Sequence, residues 1–333
     1  MKQTTTIRLL IGVIALAAAI GGAGCSQPGP SGTSSGAGGK SYTVGVTFSD
    51  LSNPVWAELV QEATTYGATK GMKVTAVDAK TDSATQVTQI ENFIQNKVDA
   101  IIICAVDANA LIDVTKQAQD AGIKVVGYTQ VLKNYDAQYL VDAYKTGYAN
   151  GEAAAKWINA TFPDASEVQW GLMDLPRFPE IIDRANGIKD AVAKIAPKAK
   201  LVATAPAETI QDGTTNAENF LQAHPDIKMI ATIGGGGAAG GNEGIKSAGV
   251  TDFSKIGLFG IDSTQPEIEA ILKGDPEKST ISLGGGKQHG DKLIDMAYDL
   301  LQGKTIEKDE YMPITVIDKT NAQAYYDANY ASK

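Results

Sequence analysis

A chain of 333 residues, 43% hydrophobic and 20% charged, can form two compact α/β domains and has too many apolar side chains to be disordered. Its 29 basic and 38 acidic residues give a formal charge of −9, which argues against a nucleic-acid partner, since that needs a cationic footprint. Two cysteines and two histidines argue against a disulfide scaffold, a Cys/His zinc site or a histidine-dependent hydrolase.

The first forty residues read as address and tether. Lys2 and Arg8 precede an uncharged run from Leu9 to Gly24, which has the basic start and short apolar stretch of a secretory signal. The run ends in Gly22-Ala23-Gly24-Cys25, which resembles the bacterial lipobox. In that motif small residues let a peptidase approach the backbone, and the Cys25 thiol takes the diacylglycerol. The plainer alternative is an ordinary signal peptide cleaved near Ala23, with Cys25 incidental. Residues 26–40 hold Gly, Ser, Pro and Thr, cannot bury surface, and act as a flexible tether. The expectation is a signal peptide over 1–24, a lipid-anchored tether over 25–40, and a globular part at the extracytoplasmic face of the cell membrane.

From Tyr42 onward, short apolar runs alternate with helical patterns. Strands are predicted at 44–49, 73–79, 99–106 and 124–130, with helices through Lys70, over Ala84–Asn96 and over Ala108–Ala121. The pattern restarts with strands at 139–144, 168–174, 200–206, 227–234 and 256–262. Helices are predicted between them over Gly147–Ala160, Pro179–Ile195, Thr214–Ala223 and Ala238–Ala248, then from Pro266 to Lys273. A strand at 279–284, a helix over Lys287–Leu301 and a strand at 311–317 close the series. β-Branched runs joined by helices specify parallel strands with helices on both faces, and the number of units suits two sheets. Local signals agree: Gly71 and Gly122 stand where helix C-caps belong, and Asn53-Pro54 forms an N-cap and N1 pair.

The phrases TVGVTFSDLSNPVWAELVQEA, DAIIICAVDANAL, DRANGIKDAV and IGLFGIDST, in that order, resemble the sugar-binding type I periplasmic binding proteins, the ribose- and galactose-binding group. The resemblance covers residues 42–318 and implies two Rossmann-like lobes joined by a three-segment hinge, with crossovers near 142–146, 275–284 and 312–314. Lobe one would be 41–142 plus 284–312, and lobe two 143–283 plus 313–333. It further implies a monomeric solute-binding lipoprotein of an ABC uptake transporter, not an enzyme and with no cofactor. A carbohydrate or polyol would sit in the cleft, and a membrane permease would read the closed form. An exported sensor passing that form to a receptor would use the same fold.

In open parallel sheets ligands sit at the carboxyl ends of strands. That rule nominates Ser49-Asp50, Cys104–Asp107, Thr129-Gln130, Asp142, Asp174, Gly234–Gly237 and Asp262. The resemblance adds Asn53 and Trp56, the Asn-Pro-aromatic turn after the first strand, where an indole suits the apolar face of a sugar ring. Asp262 matches a family aspartate whose carboxylate accepts from two neighbouring hydroxyls. Each has a structural alternative: Trp56 as core, Asn53 and Asp262 as helix caps. The chain also departs from the family. Ile181 and Ile182 replace the arginine ahead of Asp183-Arg184, Thr129-Gln130 stands where an Asp-Arg pair is usual, and Gly234-Gly235 replaces an Asn-Asp position. Arg184 reads as structural, and Arg177, with Phe178 beside it, could supply the missing guanidinium.

A competing chemistry sits at Gly235–Gly240, which satisfies G-x-G-x-x-G after a strand, with Asp262 as the ribose-binding acid of an NAD-dependent dehydrogenase. Against it, the motif lies deep in the chain and an exported protein leaves the nicotinamide pool. Gly284–Lys287 fails as a P-loop because Gln288 takes the Ser/Thr position. His289 begins the following helix at an edge of the cleft, and His224 lies in a turn.

Overall fold

The structure, a computed structural model, describes residues 41–51, 54–176 and 179–331. The first array runs β1 (Tyr42–Phe48), α1 (Pro54–Thr69), β2 (Met72–Asp78), α2 (Ser83–Gln95), β3 (Ala100–Ile103), α3 (Ile112–Asp120), β4 (Lys124–Thr129) and β5 (Ala137–Leu140). The second runs α4 (Ala143–Thr161), β6 (Val168–Asp174), α5 (Pro179–Ile195), β7 (Ala199–Pro206), α6 (Ile210–Ala223), β8 (Ile227–Thr232), α7 (Gly235–Ser247), β9 (Gly257–Ile261), α8 (Gln265–Lys273) and β10 (Glu277–Ser282). The chain then returns through α9 (Gly286–Leu301) and β11 (Asp309–Tyr311), and ends in β12 (Thr315–Asp318) and α10 (Ala322–Asn329).

These strands make two six-stranded sheets, β2-β1-β3-β4-β5-β11 and β7-β6-β8-β9-β10-β12. Both follow the same order through their first five strands. The strand ladder is parallel except at one edge, where β12 runs antiparallel to β10. The reason for burial on both faces is visible in β3. Ile101 and Ile103 meet Ile90, Phe93 and Val114 of α2 and α3, while Ala100 and Ile102 face the cluster of Leu59, Leu293 and Ile294 from α1 and α9. Each such fully buried aliphatic side chain stabilises the fold by about 1.5–3 kcal/mol. A β-branched run without polar breaks therefore has nowhere to go but the middle of a sheet.

Lobe two brings its helices closer together. A Cβ added at Gly147 of α4 would lie 1.9 Å from the Arg184 carbonyl oxygen of α5, and one at Gly240 of α7 would lie 2.0 Å from that of Ile210 in α6. Backbone lies against backbone there, so these glycines are required by contact.

The chain passes between the sheets after Leu140, between Ser282 and Gly286, and between Tyr311 and Thr315. Two expected strands change at these passages. The run 139–144 stops at Leu140 because Asp142 caps α4. The single strand expected at 311–317 is two strands in different sheets, separated at Pro313, which has no N–H to offer a ladder. Gly71 and Gly122 have the positive φ (72° and 82°) of helix C-caps. Among the described residues, no helix is long and apolar enough to cross a membrane.

Candidate functional site

A cavity of about 560 Å³ opens between the carboxyl ends of the two sheets. Trp56 and Glu58 of α1, Tyr128 and Thr129 of β4, and Lys287 and His289 of α9 line it from lobe one. Asp262 and Thr264, which follow β9, line it from lobe two. Val141, Leu283–Gly286 and Met312 contribute from the crossovers, and Tyr325 and Ala328–Ala331 from the C-terminal segment.

Three of the six non-glycine residues at positive φ among the described residues stand at this cavity or next to a residue that lines it. Thr129, Asp262 and Ser263 adopt φ of 64°, 104° and 48°, and Gly284 adopts 102°. A β-branched residue at positive φ is a rare conformation that costs about 1–3 kcal/mol and persists only where neighbours over-determine it. Such outliers at the ends of β4 and β9 turn side chains into the cavity that a relaxed strand end would direct elsewhere.

Of the sequence-derived candidates, Trp56 and Asp262 face the cavity. Trp56 stands edge-on to Phe48, with ring centroids 6.3 Å apart, so one edge is fixed in the core while the remainder stays half-buried. The Asp262 carboxylate accepts from the Gly235 N–H at 3.0 Å and lies 3.6 Å from Arg184 Nη1, which itself donates to the Ile233 carbonyl at 3.0 Å. Arg184 thus orients Asp262 from behind, a role that agrees with its structural reading. The Asp262 side chain remains 43% exposed and keeps acceptor capacity for a ligand.

Four candidates need correction as wall residues. Cys104 is fully buried beneath the floor, its Sγ within 3.7 Å of Ser49 Oγ, 3.8 Å of Thr129 Oγ1 and 3.5 Å of Gln130 Oε1. Burial holds its thiol above the ordinary pKa, so it stays protonated and unreactive. Gln130 turns its amide oxygen toward Thr129 and Cys104, and its neighbour Thr129 is the residue that lines the cavity. Asp142 accepts from the Lys145 N–H at 2.9 Å and pairs with the Lys145 ammonium at 2.8 Å, which makes it the cap of α4. Asp50 is half-buried and does not line the cavity, and the next residue, Leu51, donates its N–H to the Asp78 carboxylate at 3.1 Å. Asn53, Arg177, Phe178 and Cys25 lie outside the described residues.

A family described as a periplasmic binding protein domain matches residues 44–305. The chain belongs to that family. The ribose import binding protein RbsB of Bacillus subtilis is 28% identical over 83% of this chain and 87% of its own length. The D-ribose/D-allose-binding protein of Pseudomonas aeruginosa is 28% identical over 69% of this chain and 72% of its own. Among solved structures, an ABC transporter solute-binding protein from Bacillus halodurans with bound myo-inositol gives a TM-score of 0.70 at 23% identity. That alignment covers 85% of this chain and 96% of the other. One from Actinobacillus succinogenes with bound D-allose gives 0.73 at 23%, covering 85% and 100%. At that identity the likeness establishes the fold, two lobes of the type I periplasmic binding protein class.

The dinucleotide alternative fails on the geometry of this binding protein. Gly235–Gly240 lies inside α7, and its glycines are taken up by internal packing: Gly236 and Gly240 lie against the backbone of Glu208 and Ile210 at the start of α6, and Gly235 lies against the Thr264 and Glu267 side chains. The helix N-terminus where a pyrophosphate would sit already donates to the Asp262 carboxylate, and a second anion there meets like charge. The sequence also left two networks unseen. His289 bridges Tyr128 Oη (2.7 Å) and the Leu283 carbonyl (2.9 Å). A carbonyl only accepts, so Nε2 carries the proton and Nδ1 accepts from the tyrosine. Burial lowers the His289 pKa in keeping with this neutral form. Beneath Asp262, the buried Glu267 accepts from Thr264 N–H (2.7 Å) and Thr280 Oγ1 (2.7 Å), and it converges with Glu277 on Gly260. Burial, then the charge of Asp262, pushes Glu267 up to about 7, and burial beside Glu267 raises Glu277 well above the ordinary value. Two carboxyls so placed cannot both ionise, and each favours its protonated form. A glutamate at the third position of a helix and another opening a strand carry no sequence signal that they will meet.

Proposed function

We propose that this protein is a solute-binding lipoprotein of an ABC uptake transporter that takes a sugar or sugar alcohol in the cavity between its lobes. The observation that carries the reading is the composition of the cavity wall: an indole face at Trp56, a carboxylate at Asp262 and hydroxyls at Thr129 and Thr264, drawn from both lobes. An aromatic plane suits the C–H face of a polyol, and the oxygens suit its hydroxyls. Groups from both lobes meet one ligand only when the lobes close, so binding favours the closed form, which the permease reads. The lobes are taken as 41–142 plus 284–312 and 143–283 plus 313–333, with Cys25 as the lipid attachment. The names of the similar proteins, which bind ribose, allose or myo-inositol, support the substrate class.

The test is a titration with D-ribose, D-allose and myo-inositol, followed by tryptophan fluorescence and thermal unfolding. A ligand at 100 times its Kd raises stability by about 2.7 kcal/mol. At least one of the three is expected to do so, and Trp56→Ala and Asp262→Ala to remove the response, while the free proteins, with lower melting temperatures because Trp56 packs on Phe48 and Asp262 caps Gly235, still unfold cooperatively. A stabilisation by NADH and by none of the polyols would overturn the reading. Replacement Cys25→Ser is expected to move the protein from the membrane fraction to the soluble one.

A further inference from the structure

Helix α10 lies beyond the family match, which ends at residue 305, and yet Tyr325, Asn329, Tyr330 and Ala331 line the cavity. Its contacts converge on one residue. Tyr330 Oη donates to the Ser263 carbonyl at 2.7 Å, and Tyr325 Oη lies 2.9 Å from both Ser263 Oγ and Ser282 Oγ. The remaining polar group of Ser263, its N–H, donates to Thr280 Oγ1 at 3.0 Å. Ser263 is fully buried, has φ of 48°, and follows Asp262 at 104°. Two consecutive non-glycine residues at positive φ do not hold that shape unaided. The hydrogen bonds from α10 fix both the main-chain and side-chain oxygens of the second, and so fix where the first directs its carboxylate. Tyr325 also ties this turn to Ser282, the last residue before the crossover to lobe one.

Resting on the reading of the cavity as the solute site, we infer that Tyr325 and Tyr330 of the C-terminal helix are positioning residues for the Asp262 carboxylate, and that α10 thereby sets the affinity of the cleft for a polyol. The helix contributes in two ways. Its tyrosines hold the strained turn in the orientation that a pair of ligand hydroxyls needs, and its last residues close one side of the cavity. Loss of either hydroxyl lets the turn relax toward negative φ and swings the carboxylate away from the cavity.

The experiment is a double-mutant cycle on the full chain, with Kd for D-ribose, D-allose and myo-inositol measured by calorimetry. Tyr330→Phe and Tyr325→Phe keep ring packing and remove one hydroxyl each. Each is expected to weaken binding about threefold to tenfold, the effect of one lost hydrogen bond. In an Asp262→Asn background the same replacements are expected to cost less than twofold, because the group they position is already altered. Equal losses in both backgrounds, or no loss in either, would overturn the inference while leaving the solute site intact. If the unaltered protein binds none of the three probes, the functional reading itself falls, and the inference with it. Should Tyr325→Phe fold poorly, Tyr330→Phe carries the cycle alone, and amide exchange over 261–264 in the unaltered protein gives a second measure. Those amides are expected to exchange faster in Tyr330→Phe, and an unchanged rate counts against the inference.

Discussion

The floor under the cleft in lobe one and the ground beneath Asp262 in lobe two are both polar and both buried, but they are satisfied differently. In lobe one the buried Gln86 donates to the Cys104 carbonyl at 2.9 Å and accepts from the Val106 N–H at 2.8 Å, and Gln138 accepts from the Leu132 N–H at 2.6 Å. Neutral amides with donors and acceptors in register cost little to bury. In lobe two, both carboxyl oxygens of Glu277, Ser279 Oγ, Asn150 Oδ1 and Arg184 Nε are buried without a protein hydrogen bond. Each such group gives up about 1–3 kcal/mol of solvation. Beneath the cleft, the same strand order therefore gives lobe one a satisfied platform and lobe two a group of unsatisfied polar atoms close to Asp262, whereas the one such atom in lobe one among the described residues, Asp291 Oδ1, lies on α9.

The largest expected effect that would sharpen this contrast is steric. Gly147→Ala places a methyl 1.9 Å from a backbone oxygen that cannot rotate away, whereas Gly45→Ala in lobe one meets the buried Phe93 ring at 2.6 Å, a side chain that can yield only by repacking against its core neighbours. The first is expected to cost about 3 kcal/mol or more in urea unfolding and the second about 1–2 kcal/mol. Equal costs would erase the distinction between backbone-limited and side-chain-limited packing.

A smaller effect lies in pH. Glu267 has a folded pKa near 7, above its unfolded value, so between the unfolded and folded values the native state binds the extra proton. Stability contributed in this way is fully present below about pH 4.5 and is lost as pH rises through 7. Glu277→Gln lets the neighbouring amide donate to an ionised Glu267 and is expected to flatten that fall and raise the melting temperature at pH 8. A melting temperature that still drops between pH 5 and pH 8 in Glu277→Gln would place the sensitivity elsewhere. Buried His289 acts with the opposite sign, since its depressed pKa destabilises the fold as pH falls below about 6.5.

The smallest effect tests the platform. Tyr128→Phe leaves His289 Nδ1 without its donor and is expected to cost about 1 kcal/mol in urea unfolding, with the tilt of the pH profile below 6.5 reduced because the imidazole can then protonate.

Most of the fold was legible because it follows from local pattern. Runs such as Ile101–Ile103 must lie inside a sheet, and Gly71 and Gly122 mark helix ends through their positive φ. The place of Asp262 in the cavity wall was legible because strand-end position and side-chain chemistry coincide, and that of Trp56 because the Asn-Pro-aromatic turn resembles the family's. Cys104, Gln130 and Asp142 occupy strand ends too, but burial and capping took their polar groups, and no strand-end rule distinguishes a floor from a wall. The tail was the least legible part. The run 311–317 has the composition of one strand, and only tertiary pairing divides it between two sheets. Gly235–Gly240 fits a phosphate-loop pattern because helix contact and phosphate contact ask the same thing of a residue, the absence of a Cβ.

The exposed end of α10 has a practical consequence. Ala331 lines the cavity and is exposed, whereas Cys104 is buried and its thiol held protonated. A cysteine introduced at that rim could be labelled with an environment-sensitive dye while Cys104 stays shielded. The fluorophore would then sit at the mouth of the cleft and convert occupancy into an optical signal.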